Sequence, residues 1–281
     1  MYKPIVTSSS TYPTQHLEYL KIKIPQERLK TTANLNRLWQ HVCPPKTFGL
    51  VDHTDIGEAA WGQLPTGAMA KVCAVIQDHI QVSNKDVVCD WGFGLARWLT
   101  FLPFLFSVRD LVTVGLEKNE RIFGYGSICL QNVAKTTYRT KTSVMLKDST
   151  TVGCFCGASI VVNYDGGIQT TTFGKNSKPH LEIMTAIFRS PSVRAVVSTK
   201  LDMNRFLQYF PCSQTLVDTN QWKLVRLQQP GGQYGVSIWL RKSDKIIRPC
   251  ELCNSGNKHL KKLIDEANAV ILPRFTRSSA N

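Results

Sequence analysis

Four polar side chains in this sequence stand where apolar runs end. Asp90 closes Val87-Val88-Cys89, and Glu117 closes Leu111-Val112-Thr113-Val114-Gly115-Leu116. Asp148 follows Ser143 to Leu146, and Asn163 follows Ile160-Val161-Val162. An apolar run of this length, bounded by turn residues, reads as a buried parallel strand. In an open α/β sheet, ligands sit outside the carboxyl ends of the strands. Directly after Asp90 come Trp91-Gly92-Phe93-Gly94 and an apolar helix from Leu95 to Phe106. Gly92 and Gly94 lack a Cβ, so the backbone there can turn sharply and approach a bound molecule. Strand, glycine turn and helix form a nucleotide-type binding unit. Glu117, at the end of the next strand, can accept both hydrogen bonds of a ribose diol. Asp148 is placed to meet an adenine amino group, and Asn163 lies where a site belongs.

A dinucleotide fingerprint requires Gly-x-Gly-x-x-Gly. The third position is Arg97, a long cation where the helix should press on the strand, which counts against that ligand. The run Asp90-x-Gly92-x-Gly94-x-Ala96 resembles instead motif I of the class I S-adenosylmethionine-dependent methyltransferases. The resemblance implies S-adenosyl-L-methionine as cofactor, held by Asp90, Gly92, Gly94, Glu117, Asp148 and Asn163. Asp90 would orient the glycine turn and the donor's amino acid end, and Glu117 the ribose. It also implies a doubly wound, seven-stranded, mostly parallel α/β sheet with an antiparallel C-terminal hairpin.

The elements that must position these groups follow in order. Residues 1–54 read as a flexible Ser/Thr/Pro-rich start and a helical lead-in from Pro25 to Val42, stopped by Pro44-Pro45. Residues 55–242 read as the main domain. In it a helix after Pro65 carries Met69, Val72, Cys73, Ile76 and Ile80 on one face. A second helix, Asn119 to Val133, contains Gly124 and Gly126, each costing it roughly 1 kcal/mol against alanine. Further strands are expected at Ser143–Leu146, Ala158–Asn163 and Ser192–Thr199, with helices at Pro179–Phe188 and Asp202–Tyr209. A hairpin pairs Trp222–Gln228 with Tyr234–Leu240 around Pro230-Gly231-Gly232. Residues 243–281 read as a basic tail with a helix from His259 to Ile271.

The chain's 281 residues, 43% hydrophobic and 19% charged, suit one large α/β domain with extensions. Its net charge of +14 attracts polyanions such as nucleic acid or chromatin. Nine cysteines without a regular framework, and no signal peptide, point to reduced thiols inside a cell. The most apolar run, Trp98 to Val108, is too short to span a membrane and contains Pro103. Cys250-x-x-Cys253 with His259 is half a zinc site at most, so no metal is expected.

A closer likeness extends over Asp55 to Leu240. Trp61-Gly62-Gln63-Leu64-Pro65, a helix, and Asp86-Val87-Val88-Cys89-Asp90-Trp91-Gly92-Phe93-Gly94 resemble the disruptor-of-telomeric-silencing family of histone-lysine methyltransferases. Gly115-Leu116-Glu117, Asn163-Tyr164 and Val197-Ser198-Thr199-Lys200 match further motifs of that family. The resemblance implies lysine methylation on a nucleosome, a nuclear residence, and an acceptor channel walled by Trp61 and Tyr164 with Gln63 and Asn163 as polar gates. The departures are Gln63 for a glutamate, Phe93 for a serine, Ala96 for a glycine, and a single Asn163 for an Asn pair. A nucleic acid methyltransferase on the same fold is the first alternative. A basic interaction module without activity is the second, with the Phe93 ring expected to intrude into the donor's place.

Overall fold

A computed structural model describes residues 18–19, 26–43, 64–136, 138–147, 152–163, 186–198, 221–227, 236–242 and 258–272. The strands are β1 (Glu18–Tyr19), β2 (Val87–Trp91), β3 (Val112–Glu117), β4 (Lys141–Leu146), β5 (Ile160–Asn163), β6 (Ala195–Ser198), β7 (Trp222–Leu227) and β8 (Val236–Arg241). The longer helices are α1 (Gln26–Val42), α2 (Thr66–Ile80), α3 (Arg97–Leu105), α4 (Glu120–Ala134) and α5 (Lys258–Asn268). All strands join one sheet in the order β1-β7-β8-β6-β5-β2-β3-β4.

Seven of these strands are those expected from the sequence, and β1 adds two residues beside β7. From β4 inward to β6 the ladders are all parallel. β8 runs antiparallel to both β6 and β7, inserted between them. Among the described strands β8 alone is reversed, third from the edge behind β1 and β7, and apart from β1 this is the sheet expected from the sequence. The reversal separates the fold from the all-parallel dinucleotide sheet, whose strands run 3-2-1-4-5-6.

A parallel sheet needs cover on both faces, and its strands therefore read as continuous apolar runs. β2 shows why. Val88 enters a core shared with α1, α2, α3 and β5, through Leu35, Trp39, Met69, Ile76, Phe101 and Ile160. Val87 and Cys89 enter the opposite core with Phe155, Val161 and Trp239. α5 covers this second face by burying Leu260, Leu263 and Ala267, and lies over β3 and β4. The described part of the β4–β5 crossover, residues 152–159, carries no helix there. α5, the last described helix, covers the layer over β3 and β4.

Pro103 lies inside α3, where it lacks the N–H that would meet the Leu99 carbonyl. The Thr113 hydroxyl of β3 donates to that carbonyl instead, at 3.3 Å, which lets the helix carry a proline while buried on the sheet. The cysteines among the described residues form no disulfide. Among the described residues no helix is long and apolar enough to cross a membrane.

Candidate functional site

The glycine turn after β2 is built on positive φ angles: +79° at Gly92, +57° at Gly94 and +66° at Ala96. Alanine in this left-handed region is strained by about 1–2 kcal/mol. Its methyl group is fully buried with Phe93 and Leu99, which offsets part of that cost. The turn is tied to the exit of β3. Gly92 N–H and Phe93 N–H both donate to the Leu116 carbonyl, at 2.8 and 3.3 Å. Gly94 N–H donates to Glu117 Oε2 at 3.3 Å. Glu117 Oε1 accepts from Asn119 N–H at 2.9 Å. Asn119 in turn caps α4 through Ile122 N–H at 3.1 Å.

Asp90 and Glu117 are both buried, with 1% and 7% of their surfaces exposed. Asp90 Oδ2 has no hydrogen-bond partner. Burial first, and then the Glu117 carboxylate, hold the Asp90 carboxyl well above its usual range. Asn163 ends β5, beside β2, and its Nδ2 donates to the Trp91 carbonyl at 3.1 Å. Asp90, Gly92, Gly94, Glu117 and Asn163 are therefore gathered at the carboxyl tips of three adjacent strands. Trp61, Gln63, Asp148 and Tyr164, expected to join them, lie outside the described residues, as do Thr199, Lys200, Cys250 and Cys253. His259 is exposed on α5, and among the described residues no cluster of three metal-ligating side chains occurs.

The inactive-module alternative placed the Phe93 ring in the cleft. The Phe93 ring does not intrude into the cleft. It is buried between β3 and α4, with Ala96, Leu99, Phe123 and Val144 around it. Glycines make the slot: a Cβ on Gly115 would come within 2.7 Å of Phe93 Cδ1, and one on Gly126 within 2.6 Å of Cε2. Around Gly92 and Gly94, by contrast, a Cβ would meet nothing within 4 Å, so that side of the turn is open.

Arg97 counts against a dinucleotide because it stands where a third glycine would. Arg97 points to the N-terminal helices, where its Nη2 donates to Asn36 Oδ1 at 3.0 Å and Thr66 Oγ1 at 2.7 Å. Its guanidinium lies 5.9 Å from the Trp39 ring centroid and 5.4 Å from that of Phe101. One side chain thus joins α1, α2 and the end of the glycine turn. Sequence reading missed this clamp, since no spacing rule links Asn36, Thr66 and Arg97. The apolar stripe that contains Trp39 was the one visible sign of it.

No family model matches the chain, and no curated protein matches it. Several solved structures share its course. A Pyrococcus horikoshii protein thought to be an RNA methyltransferase aligns over 80% of this chain and 100% of its own, at 14% identity and a TM-score of 0.47. TrmN from Thermus thermophilus aligns over 66% of this chain and 51% of its own, at 12% identity and 0.45. Precorrin-6y C5,15-methyltransferase from Geobacter metallireducens aligns over 68% and 96%, at 14% identity and 0.44. These are likenesses in the path of the chain.

Proposed function

We propose that this chain is an S-adenosylmethionine-dependent methyltransferase that acts on nucleic acid. The contact between Gly94 N–H and Glu117 Oε2 carries the donor reading, because it unites the glycine turn and the acid at the next strand's exit in one cleft. The residues present fit the donor. Gly92 and Gly94 leave open space where any Cβ would stand. Asp90 offers a buried oxygen with no partner, suited to a group that brings its own donors. Each Glu117 oxygen is used once by the backbone and keeps a lone pair for a ribose hydroxyl.

When bound, the donor supplies a methyl group on a sulfonium, open to in-line displacement. The protein's task is alignment and exclusion of water, which accounts for an unremarkable set of proton-transfer groups around the cleft. Asp90 would take the donor's ammonium, Glu117 its ribose, and Asn163 would keep its amide oxygen as an acceptor while its Nδ2 is held by Trp91.

The acceptor is inferred from charge. The chain carries +14, and Lys118 and Lys147 stand at the exits of β3 and β4. Such a rim favours phosphates, and association would be steered and salt-dependent. The motif resemblance to histone-lysine methyltransferases makes a nucleosomal lysine the competing acceptor.

Calorimetry with S-adenosylmethionine on wild type, Gly92→Arg and Glu117→Ala tests the donor. Micromolar binding lost in both variants is expected, and absence of binding by wild type would leave a basic interaction module. Transfer of labelled methyl to mixed RNA, free histones and nucleosomes then tests the acceptor. Label on histone rather than RNA would replace the nucleic acid reading with the lysine one.

A further inference from the structure

We propose that Lys135, Tyr138, Arg139 and Lys141, between α4 and the start of β4, form a second docking surface for single-stranded nucleic acid. It rests on the nucleic acid reading of the acceptor and adds a contact remote from the donor cleft. Lys141 begins β4 opposite Val112, at the amino end of β3, whereas Glu117 closes β3 at the other end. The turn is thus about 17 Å from the site along the sheet, five strand residues at roughly 3.3 Å each.

The turn reads Lys135-Thr136-Thr137-Tyr138-Arg139-Thr140-Lys141. Its cations are spaced around one aromatic residue. Ion pairs among the described residues join Asp86 to Arg194 and Lys262 to Glu266, and neither involves Lys135, Arg139 or Lys141. The neighbouring acids are Asp110, exposed, two residues before the Val112 that faces Lys141, and Glu266 of α5, which accepts from Ser143 Oγ at 2.7 Å and is shared with Lys262. Three cations against these two acids, one already paired with Lys262, leave this edge positive.

Tyr138 is 44% exposed, one of the few large hydrophobic side chains so placed among the described residues. Phe104 supports its ring edge-on, at 5.8 Å between centroids and 66° between planes. The backbone under it is fixed locally. Thr136 Oγ1 donates to the Val133 carbonyl at 2.7 Å and accepts from Tyr138 N–H at 3.0 Å. Thr140 and Thr142 share a hydroxyl contact at 2.7 Å, and Thr142 and Thr113 another at 2.8 Å. A held aromatic ring between unpaired cations is a stacking platform beside a phosphate track, the combination that retains single strands. An acidic protein or an anionic bilayer would engage the cations and leave the ring without a task. Binding energy gathered here would serve to orient the acceptor at the distant cleft.

The test uses the full chain and a fluorescent 20-nucleotide RNA of mixed sequence, followed by anisotropy across a salt series. Lys135→Gln, Arg139→Gln and Lys141→Gln together are expected to lower the slope of log K against log[salt] by about 2, near 0.7 per phosphate contact. Tyr138→Ala is expected to weaken binding at least fivefold, and Tyr138→Phe to retain it, which separates loss of the ring from loss of folding. Affinity for S-adenosylmethionine should stay within twofold in all variants, so failure of this surface is distinguishable from failure of the donor site. Unchanged RNA affinity and slope, no RNA binding by wild type, or equal binding of polyglutamate or phosphatidylserine vesicles with no effect of Tyr138→Ala, would each overturn the proposal.

Discussion

The Phe93 ring and the bare α-carbon of Gly126 are complementary: the ring fills the place that a side chain on α4 would need. The α4 backbone can therefore pass over the glycine turn close to the Gly94 carbonyl oxygen. The glycine turn thus has an apolar anchor on one side, the Phe93 ring, and open space on the other, at Gly92 and Gly94.

Gly126→Ala should therefore destabilise the protein although alanine is the better helix former. The added Cβ would overlap Gly94 O and crowd Phe93 Cε2 at 2.6 Å. Overpacking of this kind costs about 1–3 kcal/mol, against roughly 1 kcal/mol gained in helix propensity. Gly124→Ala, on the same helix with nothing within 4 Å of its Cβ, should instead stabilise by up to about 1 kcal/mol. Urea midpoints at constant m would decide, and the same sign for both substitutions would refute the slot.

Asp90 should make ligand-free stability fall with rising pH. Burial, with Glu117 beside it, holds its carboxyl well above the ordinary value. The folded chain then keeps a proton that the unfolded chain releases above about pH 3.9. Stability conferred below that pH is lost as pH climbs through the raised value. Asp90→Asn mimics the protonated acid, so its melting temperature should lie closest to wild type near pH 4 and exceed it increasingly towards pH 8. An ammonium ligand reverses the preference, and S-adenosylmethionine binding should release a proton in wild type only. Calorimetry in buffers of different ionisation enthalpy reads that release. Parallel melting curves across pH would remove Asp90 from this role.

Asp86 behaves oppositely. It is 6% exposed and accepts from Ser83 N–H at 2.8 Å, with Arg194 as its charged partner. Burial pushes its carboxyl up, but Ser83, Ser159 and Arg194 together outweigh this and hold it below the usual range. Its contribution is complete above the unfolded pKa near 3.9 and is lost as pH falls through the lowered value. Arg194→Leu should cost about 1–2 kcal/mol at pH 7, less than the 3–5 kcal/mol of a fully buried pair, because the arginine side chain is 27% exposed. The deficit should shrink below pH 4. Denaturation at pH 7 and pH 3 compares the two, and an equal deficit at both would exclude the ion pair as cause.

Arg97→Lys should loosen the N-terminal helices while leaving the sheet intact. Lysine keeps the charge but loses the fork shared by Asn36 and Thr66 and the flat contact with Trp39 and Phe101. Amide exchange within α1 and the first turn of α2 should quicken by about 10-fold, equivalent to roughly 1.4 kcal/mol. Exchange in β2 and β5 should be unchanged. Quickening spread evenly over the sheet would mean that Arg97 serves global packing alone.

Much of the architecture was legible because local pattern and final environment agree. Runs such as Val87-Val88-Cys89 and Ile160-Val161-Val162 are apolar on both sides because both faces of a parallel sheet are covered. The helix after Pro65 showed its face through spacing, and Gly92 and Gly94 announced a turn through the conformations that only glycine adopts at low cost. The reversed final strand was visible as a hairpin around paired glycines. None of this required knowledge of distant contacts.

What the sequence by itself determined is the order of strands and helices, the glycine turn, and the acids and amide at strand ends. Only the tertiary structure decided where side chains from remote stretches point. It sent Phe93 under the turn, between Gly115 and Gly126, and sent Arg97 away from the sheet to Asn36 and Thr66. It also laid α5, the last described helix, over β3 and β4. The physical reason is range: backbone propensity and periodicity act over a few residues, whereas packing and pairing act between groups far apart in the chain that folding makes neighbours.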